Sequence, residues 1–185
     1  MRLTRSIGIA TLLVLLSAPA YADGFITPFL GYNFGGDSGN CASLTNCNEK
    51  RANVGVSLGS MGTLFGFEED ISYAKNFFGD VPGASNSVFS AMSNLLVGVG
   101  VGPVRPYLVG GLGLIQLHAS LASLSADKNS AGYDIGGGVS GFPTSHVGIR
   151  GDIRHFHTLQ DVNVLIFTGQ KLDFWRASLG LALKF

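Results

Sequence analysis

The chain has 185 residues and a formal net charge of zero, so it carries no basic footprint for nucleic acid. Its 27 glycines follow no G-X-Y period and stand among many Val, Leu and Phe residues. That combination excludes collagen and a disordered chain, and leaves the patterning along the chain to decide what kind of β domain this is.

Met1 to Ala22 have the layout of a secretory signal peptide. Arg2 and Arg5 give a basic start, Ile7 to Leu16 an apolar run, and Ala20-Tyr21-Ala22 a small-x-small cleavage signal. The apolar run is too short for a spanning helix. The mature chain is expected to begin near Asp23, which leaves about 163 residues, the size of one eight-stranded barrel domain over 23–185.

From there the apolar residues recur with period two, the mark of strands whose two faces meet different surroundings. The first strand, Phe25 to Phe34, sets Ile26, Leu30, Tyr32 and Phe34 against Thr27, Gly31 and Asn33. A polar connection, Gly35 to Lys50, contains both cysteines, Cys41 and Cys47. Two ligands are too few for a structural zinc site. In an exported chain the pair is expected to form a disulfide, closing a short loop and stabilising it by about 2 kcal/mol.

The second strand, Ala52 to Gly59, alternates Val54, Val56 and Leu58 with Asn53, Gly55 and Ser57, and turns within Ser60 to Thr63. The third, Leu64 to Ala74, points Phe65, Phe67, Ile71 and Tyr73 one way and Gly66, Glu68, Asp70 and Ser72 the other. Glu69 falls on the apolar face, where a charge at mid-membrane costs a few kcal/mol, and a local bulge would relieve it. A polar connection runs from Lys75 to Ser87.

Leu95 to Leu117 is the most hydrophobic stretch, yet Pro103, Arg105 and Pro106 interrupt it and glycines recur in both halves. Glycine is a poor choice for a helix interior, so two strands joined by a turn are expected, Phe89 to Val101 and Tyr107 to His118. Adjacent Gly110 and Gly111 leave the facing of the fifth strand open. After a connection at Ala119 to Ser130, the sixth strand (Ala131 to Phe142) points Tyr133, Ile135 and Val139 out and Asp134 in. The seventh, Val147 to Phe156, points Val147, Ile149 and Ile153 out and Arg150, Asp152 and Arg154 in. A last connection, His157 to Lys171, leads to Leu172 to Phe185, where Trp175, Ala177, Leu179, Leu181, Leu183 and Phe185 alternate with Arg176, Ser178, Gly180, Ala182 and Lys184.

Eight strands whose connections alternate long and short define an all-β, antiparallel, up-and-down transmembrane β-barrel, with short periplasmic turns and longer outer loops. A soluble lipocalin-like barrel needs apolar side chains inside, whereas the inward set here reads as Gly, Ser, Asn and charge. With the chain starting in the periplasm, Phe65, Tyr107, Phe142 and Phe185 fall at the periplasmic end. Tyr32, Phe34, Tyr73, Tyr133 and Trp175 fall at the outer end, as two interfacial girdles require.

The stretches RPYLVGGLGL (Arg105 to Leu114), VGIRGDIRHF (Val147 to Phe156) and the terminal ASLGLALKF resemble the outer-membrane β-barrel domain family, in its small eight-stranded group of OmpA-like and OmpX/Ail-like barrels. The resemblance covers the whole mature chain and rests on patterns rather than invariant residues. It implies a place in the bacterial outer membrane, with the lipid of that membrane and the barrel assembly machinery as partners. It also implies that Phe185, an aromatic closing residue, serves as the assembly signal. A peptidoglycan-binding domain after the barrel is not expected.

Three further patterns bear on function. Gly136-Gly137-Gly138-Val139-Ser140-Gly141 fits G-x-G-x-x-G, but a dinucleotide site needs a helix next and another strand follows, so no cofactor is expected. His155 and His157 with Thr158 loosely resemble the His-x-Ser arrangement of barrel enzymes that deacylate lipid A. The hydroxyl is at the wrong spacing and no Glu follows on the closing strand, so no enzyme is expected. The inward Glu68, Asp70, Asp134 and Asp152 oppose Arg150, Arg154 and Arg176, with Lys184 at the periplasmic mouth, and are expected to pair as a plug across the lumen. The function expected is that of a non-enzymatic structural or surface-interaction barrel whose surface ligand the sequence does not name; the alternative is a narrow porin-like channel or small-molecule conduit.

Intact-mass analysis of the membrane-bound protein should give a chain that starts at Asp23 and is lighter by two hydrogens than its reduced form. A retained Met1, or two free thiols, would contradict the cleavage or the bond.

Overall fold

The computed structural model describes residues 23–38, 52–78, 84–121, 124–160, 162–164 and 167–185. The signal segment and both cysteines lie outside the described residues. The strands are β1 (Asp23–Phe34), β2 (Ala52–Met61), β3 (Phe65–Lys75), β4 (Ala84–Gly98), β5 (Val104–Leu121), β6 (Leu124–Gly141), β7 (Val147–Thr158), β8 (Val162–Val164), β9 (Phe167–Gln170) and β10 (Asp173–Lys184). Eight of them close into one barrel in the order β1-β10-β7-β6-β5-β4-β3-β2, while β8 and β9 form a separate two-stranded sheet.

Each barrel strand pairs antiparallel with its neighbours, and β1 meets β10 along Phe25↔Lys184 to Phe34↔Trp175. Reciprocal bonds between Gly24 and Phe185, at 3.0 and 2.9 Å, carry that seam to the last residue. Closure gives every strand of the ring a partner on both sides, the condition for placing a sheet in lipid.

Alternation then sorts the side chains. Leu30, Leu58, Ile71, Leu95, Leu108, Ile135, Ile149, Leu179 and Leu181 are exposed on the outside, where hydrocarbon rather than water receives them. Tyr32, Tyr73 and Trp175 are also outward and exposed at the outer end, and Phe65 and Phe185 at the periplasmic end. Phe142 and Tyr107 depart from the expected girdle. Phe142 lines the periplasmic mouth of the lumen. Tyr107 points inward and is buried, because β5 keeps strict alternation through Gly110 and Gly111 and its odd-numbered residues face the lumen. The open facing of the fifth strand is thereby resolved.

Five other expectations change. The supposed loop Ala119 to Ser130 is mostly strand, since the β5–β6 ladder continues to Leu121↔Leu124. This hairpin rises past the outer aromatic band, where water meets both faces and backbone pairing needs no apolar alternation. For the same reason β4 begins at Ala84, inside the expected connection, and the stretch His157 to Lys171 contains the β8–β9 hairpin. At the other end β4 stops at Gly98, and Val101 makes an isolated bridge to Val104 in the turn. The lumen, finally, is not lined only by small, polar and charged residues. At its outer end Phe77, Met92, Ile115, Leu117, Phe156 and Phe174 are buried together as an apolar plug.

No bulge rescues Glu69. The β2–β3 and β3–β4 registers run unbroken through Leu58↔Glu69 and Glu69↔Ser93. The carboxylate therefore lies on the outer face, midway between Phe65 and Tyr73, and accepts bonds from Ser93 Oγ at 2.9 and 2.8 Å. One hydroxyl offsets part of its desolvation only. Glu69→Leu should stabilise the barrel by up to about 2 kcal/mol against denaturant in lipid vesicles. A destabilised variant would mean that Glu69 is held by something other than Ser93.

Candidate functional site

The inward positions of five strands converge on one charged layer. β3 supplies Glu68 and Asp70, β6 Asp134, β7 Arg150, Asp152 and Arg154, β10 Arg176, and β5 Tyr107. All are under a tenth exposed. Arg154, fully buried, is the hub. Its Nε and Nη2 donate to Asp152 at 3.1 and 3.0 Å. Its Nη1 lies 2.9 Å from Glu68, 3.5 Å from Asp134 and 3.6 Å from Asp70.

The two flanking arginines complete the layer. Arg176 grips Asp70 with both terminal nitrogens, at 2.9 and 3.0 Å, the bidentate geometry that makes such pairs strong. Arg150 pairs through Nη1 with Glu68 and donates from Nε to Tyr107 Oη at 2.6 Å. Tyr107 in turn donates to Asp152 at 2.8 Å.

Four carboxylates face three guanidiniums here, and neutral donors offset the excess. Ser57 Oγ reaches Asp70 at 2.9 Å and Ser178 Oγ reaches Asp152 at 2.8 Å. Oriented by its neighbours, the Asn94 amide donates to Asp134 at 2.6 Å and accepts from Arg154 at 3.0 Å. Aromatic faces hold the guanidiniums flat. Arg176 lies over Phe29 at 4.7 Å and Phe156 at 4.8 Å, and Arg150 over Tyr107 at 4.6 Å and Phe25 at 5.3 Å. Such stacking contributes most where water is excluded.

Glycine makes the close packing possible. A Cβ on Gly136 would lie 2.8 Å from Arg154 Cα, and one on Gly138 2.5 Å from Asp152 Cβ. The G-x-G-x-x-G stretch thus forms the bed on which β7 lays its charges, within a strand and with no helix after it.

The remaining candidates fall elsewhere. His155 and His157 point outward at the outer rim, where both meet Asp173 Oδ2, at 2.8 and 3.1 Å. Thr158 faces the opposite side of β7, fully buried, and its Oγ1 accepts from the Leu172 N–H at 2.8 Å. The strand's alternation separates the hydroxyl from the imidazoles. Lys184 binds Asp23 at 2.5 Å at the periplasmic mouth. Among the described residues no group of His, Cys, Asp and Glu is arranged to hold a metal.

The partners that sequence reading missed are Tyr107, Asn94, Ser57 and Ser178, along with the rings of Phe25, Phe29 and Phe156. Each stands at an inward position of its strand, so strict parity was the signal that could have found them.

An antiparallel barrel that is apolar outside and charged inside is a transmembrane β-barrel. The family described as outer membrane protein beta-barrel domain matches residues 8–185, and the chain belongs to it, as a protein of the bacterial outer membrane. Three solved structures have the same fold. Neisserial surface protein A is 17% identical, with a TM-score of 0.62 over 87% of this chain and 95% of its own. A major outer membrane protein from Thermus thermophilus is 13% identical, with a TM-score of 0.60 over 89% and 99%. Ail, the attachment invasion locus protein of Yersinia pestis, is 12% identical, with a TM-score of 0.54 over 89% and 97%. No curated protein matches the chain.

Arg154→Ala removes the hub and leaves buried carboxylates of β3, β6 and β7 without their shared partner. It should cost about 3–5 kcal/mol in denaturant unfolding from lipid vesicles. A loss below about 1 kcal/mol, the scale of an exposed pair, would mean that water already reaches the layer.

Proposed function

We propose that this protein is a non-enzymatic anchor: a barrel closed to solutes that holds surface-exposed hairpins outside the cell for structural or interaction roles. The observation that carries the reading is that two barriers of different chemistry follow one another along the lumen. The Glu68–Arg154–Asp152 layer comes first, and the plug of Phe77, Phe156 and Phe174 stands above it. An ion would have to break paired charges and then cross an apolar constriction.

The ladder of β4, β5 and β6 supports the second half of the reading, because it extends beyond the outer aromatics to Ala84↔Leu121 and Leu121↔Leu124. A rigid extension of the barrel wall presents a surface, which a floppy loop does more poorly. The likeness to a protein named for attachment and invasion fits an interaction role. Thr158 lies on the face of β7 opposite His155 and His157, which speaks against lipid deacylation.

Planar-bilayer recording of the purified wild-type protein should show no stable open steps. Large, persistent steps would overturn the sealed anchor and favour the narrow conduit.

A further inference from the structure

Below the charged layer the barrel holds a cavity of about 470 Å³ that opens at the periplasmic mouth. That size lies within the range of small-ligand sites. Its inner end is formed by Tyr107 and Arg150, and an apolar wall by Phe25, Met61, Leu96 and Phe142. The charged residues lining it are Arg105, Arg150, Lys184 and Asp23, three cations against one acid. Asp23 is already bound to Lys184, at 2.5 Å.

Hydrogen-bonding capacity is left over here. Arg105 points inward from β5, half-buried, and makes no ion pair among the described residues. Arg150 uses Nε and Nη1 in the layer above, and its Nη2 is buried with no hydrogen-bond partner. Thr27 Oγ1, on the same cavity, is likewise buried and unpartnered. Buried polar groups are nearly always satisfied in folded proteins, so unsatisfied groups gathered on one cavity are informative. In the charged layer above, Arg176 Nε and Glu68 Oε2, the latter ion-paired with Arg150, also lack a hydrogen-bond partner, but neither residue lines the cavity.

We infer that this vestibule binds small organic carboxylates with an apolar body, taken from the periplasm. The carboxylate would meet Arg105, with Arg150 and Thr27 behind it, as a charge-assisted hydrogen-bond acceptor. The apolar body would cover Phe25, Met61, Leu96 and Phe142. An inorganic anion would satisfy the charge and leave that wall wet. A neutral alkyl compound would cover the wall and leave the arginine donors unmet. A cation would leave the arginine donors unmet and would face the Arg105 guanidinium. The site goes beyond the anchor reading and does not depend on it, because the vestibule ends below the layer whether or not the lumen conducts.

The test uses the full mature chain refolded into lipid nanodiscs, with methyl NMR signals of Met61 and Leu96 as reporters. Hexanoate should shift them saturably at millimolar concentration, while lipid-facing Leu179 and Ile149 stay unmoved. Hexan-1-ol and inorganic phosphate should each bind at least about tenfold more weakly, a difference of about 1.4 kcal/mol. Arg105→Gln should weaken hexanoate by a similar factor, and Arg105→Lys should restore much of it. The alcohol and phosphate arms need only the wild-type protein, so they decide even if a variant fails to refold. Absence of saturation, equal binding of the alcohol or phosphate, equal shifts on the lipid face, or an Arg105→Gln protein that binds as well as wild type would each overturn the site.

Discussion

Arg154 ties together carboxylates from three strands, Glu68 and Asp70 of β3, Asp134 of β6 and Asp152 of β7. A small barrel in a membrane depends on such interior links. Lipid is as apolar as leucine, so the outer face gains no water-driven cohesion once the chain is in the bilayer. Backbone pairing closes the cylinder, and the interior must then decide its cross-section. Side chains that reach across the lumen do so here with charge, whose attraction is strong where water is scarce and whose desolvation is costly unless every partner is placed. The tyrosine, asparagine and serine donors around the layer matter for that second reason: they occupy carboxylate lone pairs that the three arginines leave open.

Reading the lumen from the periplasm outward gives a gradient of chemistry rather than a uniform polar core. The vestibule is mixed, the middle is ionic, and the outer end is aromatic. The gradient follows from single strands. On β7, Arg150, Asp152, Arg154 and Phe156 are successive inward residues, and on β10 Phe174 precedes Arg176 by one inward step. These two strands carry that order at the same depth, because their antiparallel register sets Arg154 beside Arg176 and Phe156 beside Phe174.

Much of this was legible in the sequence because period two is a local signal. Inward Glu68, Asp70, Asp134, Arg150, Asp152, Arg154 and Arg176 could be placed without knowing any partner. Legibility failed wherever the surroundings, not the strand, set the pattern. Above the bilayer, the segment Leu124 to Ser130 reads as a polar loop, yet it is a ladder whose backbone bonds ignore side-chain type. Tyr107 reads as a girdle residue because its ring is apolar, yet its hydroxyl makes two bonds that only the lumen supplies. Glu69 reads as a sign of a bulge because charge is unwelcome in lipid, yet the register does not shift. Slipping it by one residue would turn Glu68 and Asp70 out of the ionic layer, a far larger loss than one exposed carboxylate.

The charged layer and the aromatic plug, two barriers in succession, are joined in one stack. The Phe156 ring lies parallel to Phe174, with centroids 4.9 Å apart and planes 4° from parallel, and Arg176 sits over Phe156 at 4.8 Å. Phe77 then meets the edge of Phe174 at 4.8 Å. A single column therefore runs from Asp70, through the guanidinium it grips, to the turn residue Phe77 that follows β3. Each member restricts the next: the bidentate carboxylate fixes the guanidinium plane, that plane seats one ring, and the ring seats another. Because Asp70 and Phe77 belong to the same stretch of chain, the column returns to the strand it starts from and links β3 to β7 and β10 across the lumen. Backbone bonds cannot make that link, since they join only adjacent strands.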